Sequence, residues 1–148
     1  MSVQERRVVV SLVANLLVFA VFFVIVLGMY QDGRFDGEDA SRLIGQAILW
    51  LIGAEIVANI AGSILLAIGH AIATGEEEPD VTDERDKLIE LRALRISFYL
   101  FGAAFVGVAV AMALGASFVV AFLAMMASLA IADAVGNLVR LWRYRRGF

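Results

Sequence analysis

Four long runs of apolar residues dominate this chain: Val8–Tyr30, Leu43–Ala73, roughly Arg95–Leu114, and Phe118–Leu141. About 20 such residues cross a ~30 Å hydrocarbon core as a helix, so each run is long enough to span a bilayer. Composition agrees. Of 148 residues, 61% are hydrophobic, and the mean hydropathy is +0.86. A soluble core of this size cannot hide that excess. The chain therefore reads as an all-α integral membrane protein, with residues 1–148 forming one transmembrane domain.

The first run follows Arg6 and Arg7 and superficially resembles a signal peptide. It exceeds the usual apolar region of about 7–15 residues, and no small-x-small cleavage site follows, so it reads as a retained span. The second run is the longest, roughly 46 Å at the helical rise. It has to tilt or project beyond the bilayer.

Basic residues set the expected orientation. Of the twelve Lys and Arg residues, only Arg34 and Arg42 fall on the side of the first connection. The others lie in the N-terminal tail, the middle connection and the C-terminal tail, so the positive-inside bias puts both termini in the cytoplasm. Trp142 and Tyr144 fit an aromatic anchor at that face and Tyr30 one at the other.

The connections differ in character. Gln31–Arg42 is short and acidic, with Gly33 and Gly37 as breakers. Gly115-Ala116-Ser117 is barely a turn, which makes the last two helices an antiparallel hairpin. The linker at 74–82 carries Glu76-Glu77-Glu78 and Pro79, the only proline. After it, Thr82 or Asp83 can cap a helix whose first turn is acidic, as the helix dipole prefers. The expected architecture is a four-helix bundle of two antiparallel hairpins. Its helices run over about 8–30, 43–73, 83–114 and 118–141.

Helices in lipid associate through close packing, and small residues at four-residue steps permit it. Such stripes are Ala54, Ala58 and Gly62; Ala103, Gly107, Ala111 and Gly115; and Ala124, Ser128, Ala132 and Gly136. They offer more close-packing surface than one bundle needs, so a homodimer is expected. Phe22 is expected to face lipid.

Two acids lie inside the spans, Glu55 and Asp133. An acid there costs about 2.5–3.5 kcal/mol on insertion scales and normally faces a cavity or a partner. Asn59 and Ser63 share the Glu55 face, and Asn137 follows Asp133 by one turn. This layer of Glu55, Asn59, Ser63, Asp133 and Asn137 has two readings. One is interhelical hydrogen bonding, with Asn15 as a partner for Glu55. The other is a proton or cation site. A weak internal repeat aligns Val57–Ile64 with Ile131–Leu138 and places Asn59 and Asp133 at similar depth.

Several functions are excluded or unsupported. No cysteine means no disulfide scaffold, thiol nucleophile or cysteine zinc site. One histidine, His70, argues against a metal centre. No nucleophile elbow, zinc-protease motif or phosphate loop is present, so no enzyme activity and no cofactor are expected. A net charge of −3 argues against direct nucleic-acid binding.

The most distinctive polar stretch begins Thr82-Asp83-Glu84-Arg85-Asp86-Lys87 and continues through Arg92 and Arg95 to Phe98-Tyr99. Leu88, Leu91 and Leu94/Arg95 share one face, giving an amphipathic helix entry. The Asp-Glu-Arg-Asp run before a third span, followed by an aromatic pair, resembles a family of small, uncharacterised prokaryotic four-helix membrane proteins. That family has no established activity. Its frequent proximity to genes for helix-turn-helix regulators implies a cytosolic regulatory partner.

The expectation is therefore a non-enzymatic inner-membrane scaffold or regulatory module. It would present Asp83, Glu84, Arg85, Asp86, Arg92 and Arg95 to a partner. The alternative is a small ion- or proton-coupled transporter or channel built on the intramembrane layer.

Overall fold

A computed structural model describes residues 3–74 and 83–146. These are helical throughout apart from short connections: α1 is Val3–Gln31, α2 Ala40–Thr74, α3 Glu84–Ala113 and α4 Phe118–Arg146. No strand occurs among the described residues. All four helices are long and apolar enough to cross a membrane. Each runs past its apolar core into polar sequence, because helical hydrogen bonding does not stop where hydrophobicity does. Of the expected linker, only Thr74 is described, as the last residue of α2; Glu76–Glu78, Pro79 and Thr82 lie outside the described residues.

Local chemistry sets the helix ends. After α1, the Arg34 amide donates to the Met29 carbonyl (3.0 Å) and the Gly33 amide to that of Tyr30 (3.1 Å). After α3, the Ala116 amide donates to Ala111 (2.9 Å) and the Gly115 amide to Met112 (3.0 Å). Both are Schellman closures, which need a left-handed residue just past the helix. Glycine supplies it at Gly33 (φ 69°) and Gly115 (φ 100°). Ser117 then caps α4, its Oγ accepting from the Val120 amide at 3.3 Å. Asp83 caps α3, as expected, with Oδ1 accepting from the Glu84 amide at 2.7 Å.

The helices pack in the order α2–α1–α4–α3, and α2 and α3 do not approach each other closely. The apolar core joins Phe19, Phe22 and Val26 of α1 to Ile44 and Leu51 of α2 and Phe122 of α4. Phe35, from the α1–α2 connection, is also buried there and ties that turn to the helix ends. Phe22 therefore does not face lipid. It is 7% exposed and meets Phe122 edge to face, with centroids 6.5 Å apart.

The small-residue stripes divide. Gly136 packs on Ser97 and the Ala93 carbonyl, and Gly62 packs on Val10. These two let α4 approach α3 and α2 approach α1. The α3 stripe behaves otherwise: Ala103, Gly107, Ala111 and Gly115 are all exposed, and Gly107 has open space around it. The face of α3 on α4 runs instead through Ile89, Ala93 and Ser97.

Candidate functional site: an intramembrane polar ladder

Asn15 is the one strongly polar residue in the apolar stretch of α1, and it is buried. Residues Asn15, Phe19, Phe22 and Val26 follow the four-three-four spacing of one helix face. That face turns toward α2 and α4, so the Asn15 amide comes between Asn59 and Asp133.

The resulting contacts form a continuous chain. Ser11 Oγ donates to Asn59 Oδ1 at 3.1 Å. Asn59 Nδ2 donates to Asn15 Oδ1 at 3.0 Å. Asn15 Nδ2 donates to Asp133 Oδ2 at 2.8 Å, and Asn137 Nδ2 donates to the same oxygen at 3.1 Å. Three helices are thereby linked through side chains at one level. Asn137 is buried as fully as the aliphatic core, at 3% exposure. The pattern suits a water-poor interior, where an unpaired polar group costs far more than a paired one.

Glu55 sits at the margin of the ladder. Its nearest donor is Asn59 Nδ2, 3.4 Å from Oε2. That nitrogen is already engaged by Asn15 and by the Glu55 carbonyl at 2.9 Å. Glu55 Oε1 is buried with no hydrogen-bond partner among the described residues. Asn15 is thus bound to Asp133 and Asn59 rather than to Glu55. Ser63 turns away from the layer and donates to its own helix, to the carbonyls of Asn59 (2.8 Å) and Ile60 (2.9 Å). A helical serine can return its hydroxyl to a carbonyl one turn back, and Ser63 does so.

A second polar contact fastens α3 to α4: Ser97 Oγ donates to the Ala132 carbonyl at 2.8 Å. Beside it lies a cavity of about 240 Å³ bordered by Ser97, Asp133, Asn137 and Arg140. The Nε atoms of Arg140 and Arg143 are buried without a hydrogen bond among the described residues. Arg146 lies 5.4 Å from the Trp142 ring centroid, within cation–π range. No group of acids and histidines suited to holding a metal ion occurs among the described residues.

The charged segment at the start of α3 has two faces. Ile89 and Ala93 are 1% and 0% exposed. Asp86 is half-buried and, like Glu90, lies within electrostatic reach of Tyr144 on α4. Leu88, Leu91 and Leu94 are exposed by 48%, 60% and 60%, as are Glu84, Arg85, Arg92 and Arg95. The leucines read from sequence as the amphipathic face are therefore not the ones that pack on the bundle.

Ser11 is a member of the ladder absent from the sequence-derived layer, and Asn15, expected as a partner for Glu55, bonds Asn59 and Asp133 instead. The signal for Asn15 was its solitude: a lone amide in a span normally faces inward. Comparison of the chain with protein-family models, curated proteins and solved structures finds no match to any of them.

Proposed function

We propose that this protein is a non-enzymatic membrane scaffold or regulatory module of the prokaryotic inner membrane, presenting the Asp83–Arg95 segment to a cytosolic regulatory partner. The observation that carries this reading is the split of the α3 entry helix. Ile89 and Ala93 anchor it on the bundle, while Leu88, Leu91 and Leu94 stand outward among charged side chains. Exposed apolar residues rimmed by charge are the ordinary form of a protein docking surface. In this reading the helices form two antiparallel hairpins with both termini cytoplasmic, in line with the positive-inside bias. The open α3 stripe around Gly107 serves a homodimer. The likeness of the Asp-Glu-Arg-Asp run to the small four-helix family supports a regulatory partner.

The test is site-specific photo-crosslinking in cells. A crosslinker at Leu91 should give one discrete adduct with a cytosolic protein, and one at Ile89 should not. Identical products at both positions, or none at Leu91, would contradict the docking surface.

Two observations favour a second reading, ion or proton transport: the unpartnered Glu55 Oε1 and the cavity bordering Asp133. Against it, Asp133 already accepts two hydrogen bonds at one oxygen. A conducting site must bind weakly enough to release its ion.

A further inference from the structure

A further cavity among the described residues lies between α1 and α2, reaching from Arg34 at their connection inward to Leu17 and Ala54. It is a groove of about 670 Å³ lined by residues of both helices and by Arg34. Its floor includes Phe22, Val26 and Leu51, and Trp50 stands at its side. The size falls within the ~300–1,000 Å³ of ordinary ligand sites. Almost all of the lining is aliphatic or aromatic, with two polar exceptions, Arg34 and Gln46.

The backbone at Arg34 is fixed by the turn. Its amide closes the Schellman turn on Met29, and the next residue, Phe35, is buried in the core. Around it the connection is acidic, with Asp32, Asp36, Glu38 and Asp39. Asp36 folds back over the same turn: its amide donates to the Gly33 carbonyl at 3.1 Å, and its carboxylate lies against Gly33. One guanidinium at the end of an apolar groove, in a connection otherwise rich in carboxylates, matches a head that carries both a phosphate and an ammonium on an apolar tail.

We propose that the α1–α2 groove is a binding site for a zwitterionic aminophospholipid of the leaflet on that side. An acyl chain lies along Phe22, Val26 and Leu51, the phosphate meets Arg34, and the ammonium meets Asp36 and its acidic neighbours. Planar guanidinium donors suit phosphate oxygens. The acidic surroundings set the choice of lipid, since an anionic head without an ammonium would face four carboxylates for one or two arginines. The proposal does not depend on the scaffold reading.

Trp50 provides the probe, because Trp142 is the only other tryptophan. A Trp142→Phe variant is reconstituted in phosphatidylcholine vesicles containing acyl-brominated phosphatidylethanolamine or acyl-brominated phosphatidylglycerol at equal mole fraction. Quenching of Trp50 should favour the ethanolamine lipid by about two- to fivefold in apparent affinity, the range of an exposed ion pair. Asp36→Asn should remove that preference, and Arg34→Ala should weaken quenching by both lipids. Equal quenching in the parent would overturn the site, as would a preference that survives Asp36→Asn. So would quenching indifferent to Arg34→Ala, the result expected if a second copy of the chain or bulk lipid fills the groove.

Discussion

Asn15 and Asp133 stand 118 residues apart in sequence and are joined by a 2.8 Å hydrogen bond between the carboxamide nitrogen of one and a carboxylate oxygen of the other. Because Asn15 also accepts from Asn59, it is the only side chain in the ladder bonded to both α2 and α4. Hydrogen bonds between membrane helices average about 0.6 kcal/mol and reach about 1.7. Losing both, Asn15→Ala should destabilise the bundle by about 1–3 kcal/mol. Thermal unfolding in detergent measures this. A double-mutant cycle with Asp133→Ala should show coupling between the two sites, and strict additivity would mean that the bond contributes nothing.

Two glycines at equivalent small-residue positions should respond in opposite ways. Gly136 abuts Ser97 and the Ala93 backbone, so Gly136→Leu forces α3 and α4 apart at a cost of about 1–3 kcal/mol or more. A side chain at Gly107 would meet nothing within the chain, so Gly107→Leu should leave the melting temperature of the monomer unchanged. If α3 forms the homodimer face, the same variant lowers energy transfer between labelled copies in liposomes. Equal destabilisation by both variants would contradict the packing described.

Phe22 offers a similar contrast with Leu17, which is 62% exposed. Phe22→Ala removes an edge-to-face contact with Phe122 and opens a cavity in the apolar core. Such truncations cost about 3–5 kcal/mol in water-soluble cores. A large loss should appear here in detergent stability, while Leu17→Ala remains close to the parent.

The proposed sidedness rests on charge and is open to labelling. Single cysteines introduced at Ser2 and Phe148 should be shielded from a membrane-impermeant thiol reagent in intact cells, and one at Gly37 should react. Labelling at either terminus would reverse the orientation.

Helix number and approximate extent were legible in the sequence because lipid demands long apolar runs, and Gly33, Gly115 and Asp83 mark helix ends by chemistry that is local. The facing of α1 was not legible from hydrophobicity. In lipid both the buried and the exposed faces are apolar, so Phe22 and Leu17 look alike. Only Asn15 breaks the symmetry, and the heptad-like spacing to Phe19, Phe22 and Val26 follows once it is taken as the inward mark. Glu55, Asn59, Asp133 and Asn137 are drawn to one region for the same reason, the cost of an unpaired polar group in hydrocarbon. Ser63 escapes the layer because its single hydroxyl is taken up by its own backbone, whereas Asn59 has both a donor and an acceptor and bonds its own helix and Asn15 together. The neighbour of the α3 stripe was not legible because small residues allow close approach without naming the partner.

Ion and proton flux in proteoliposomes tests most directly whether the polar ladder holds the helices together or moves a cation. Wild type, Glu55→Gln and Asp133→Asn should all fold, since each amide preserves shape and hydrogen-bonding capacity near that of the acid. A structural ladder predicts no flux above empty liposomes for any of the three. Flux through the wild type that Glu55→Gln abolishes would contradict the scaffold and establish a transport site in its place.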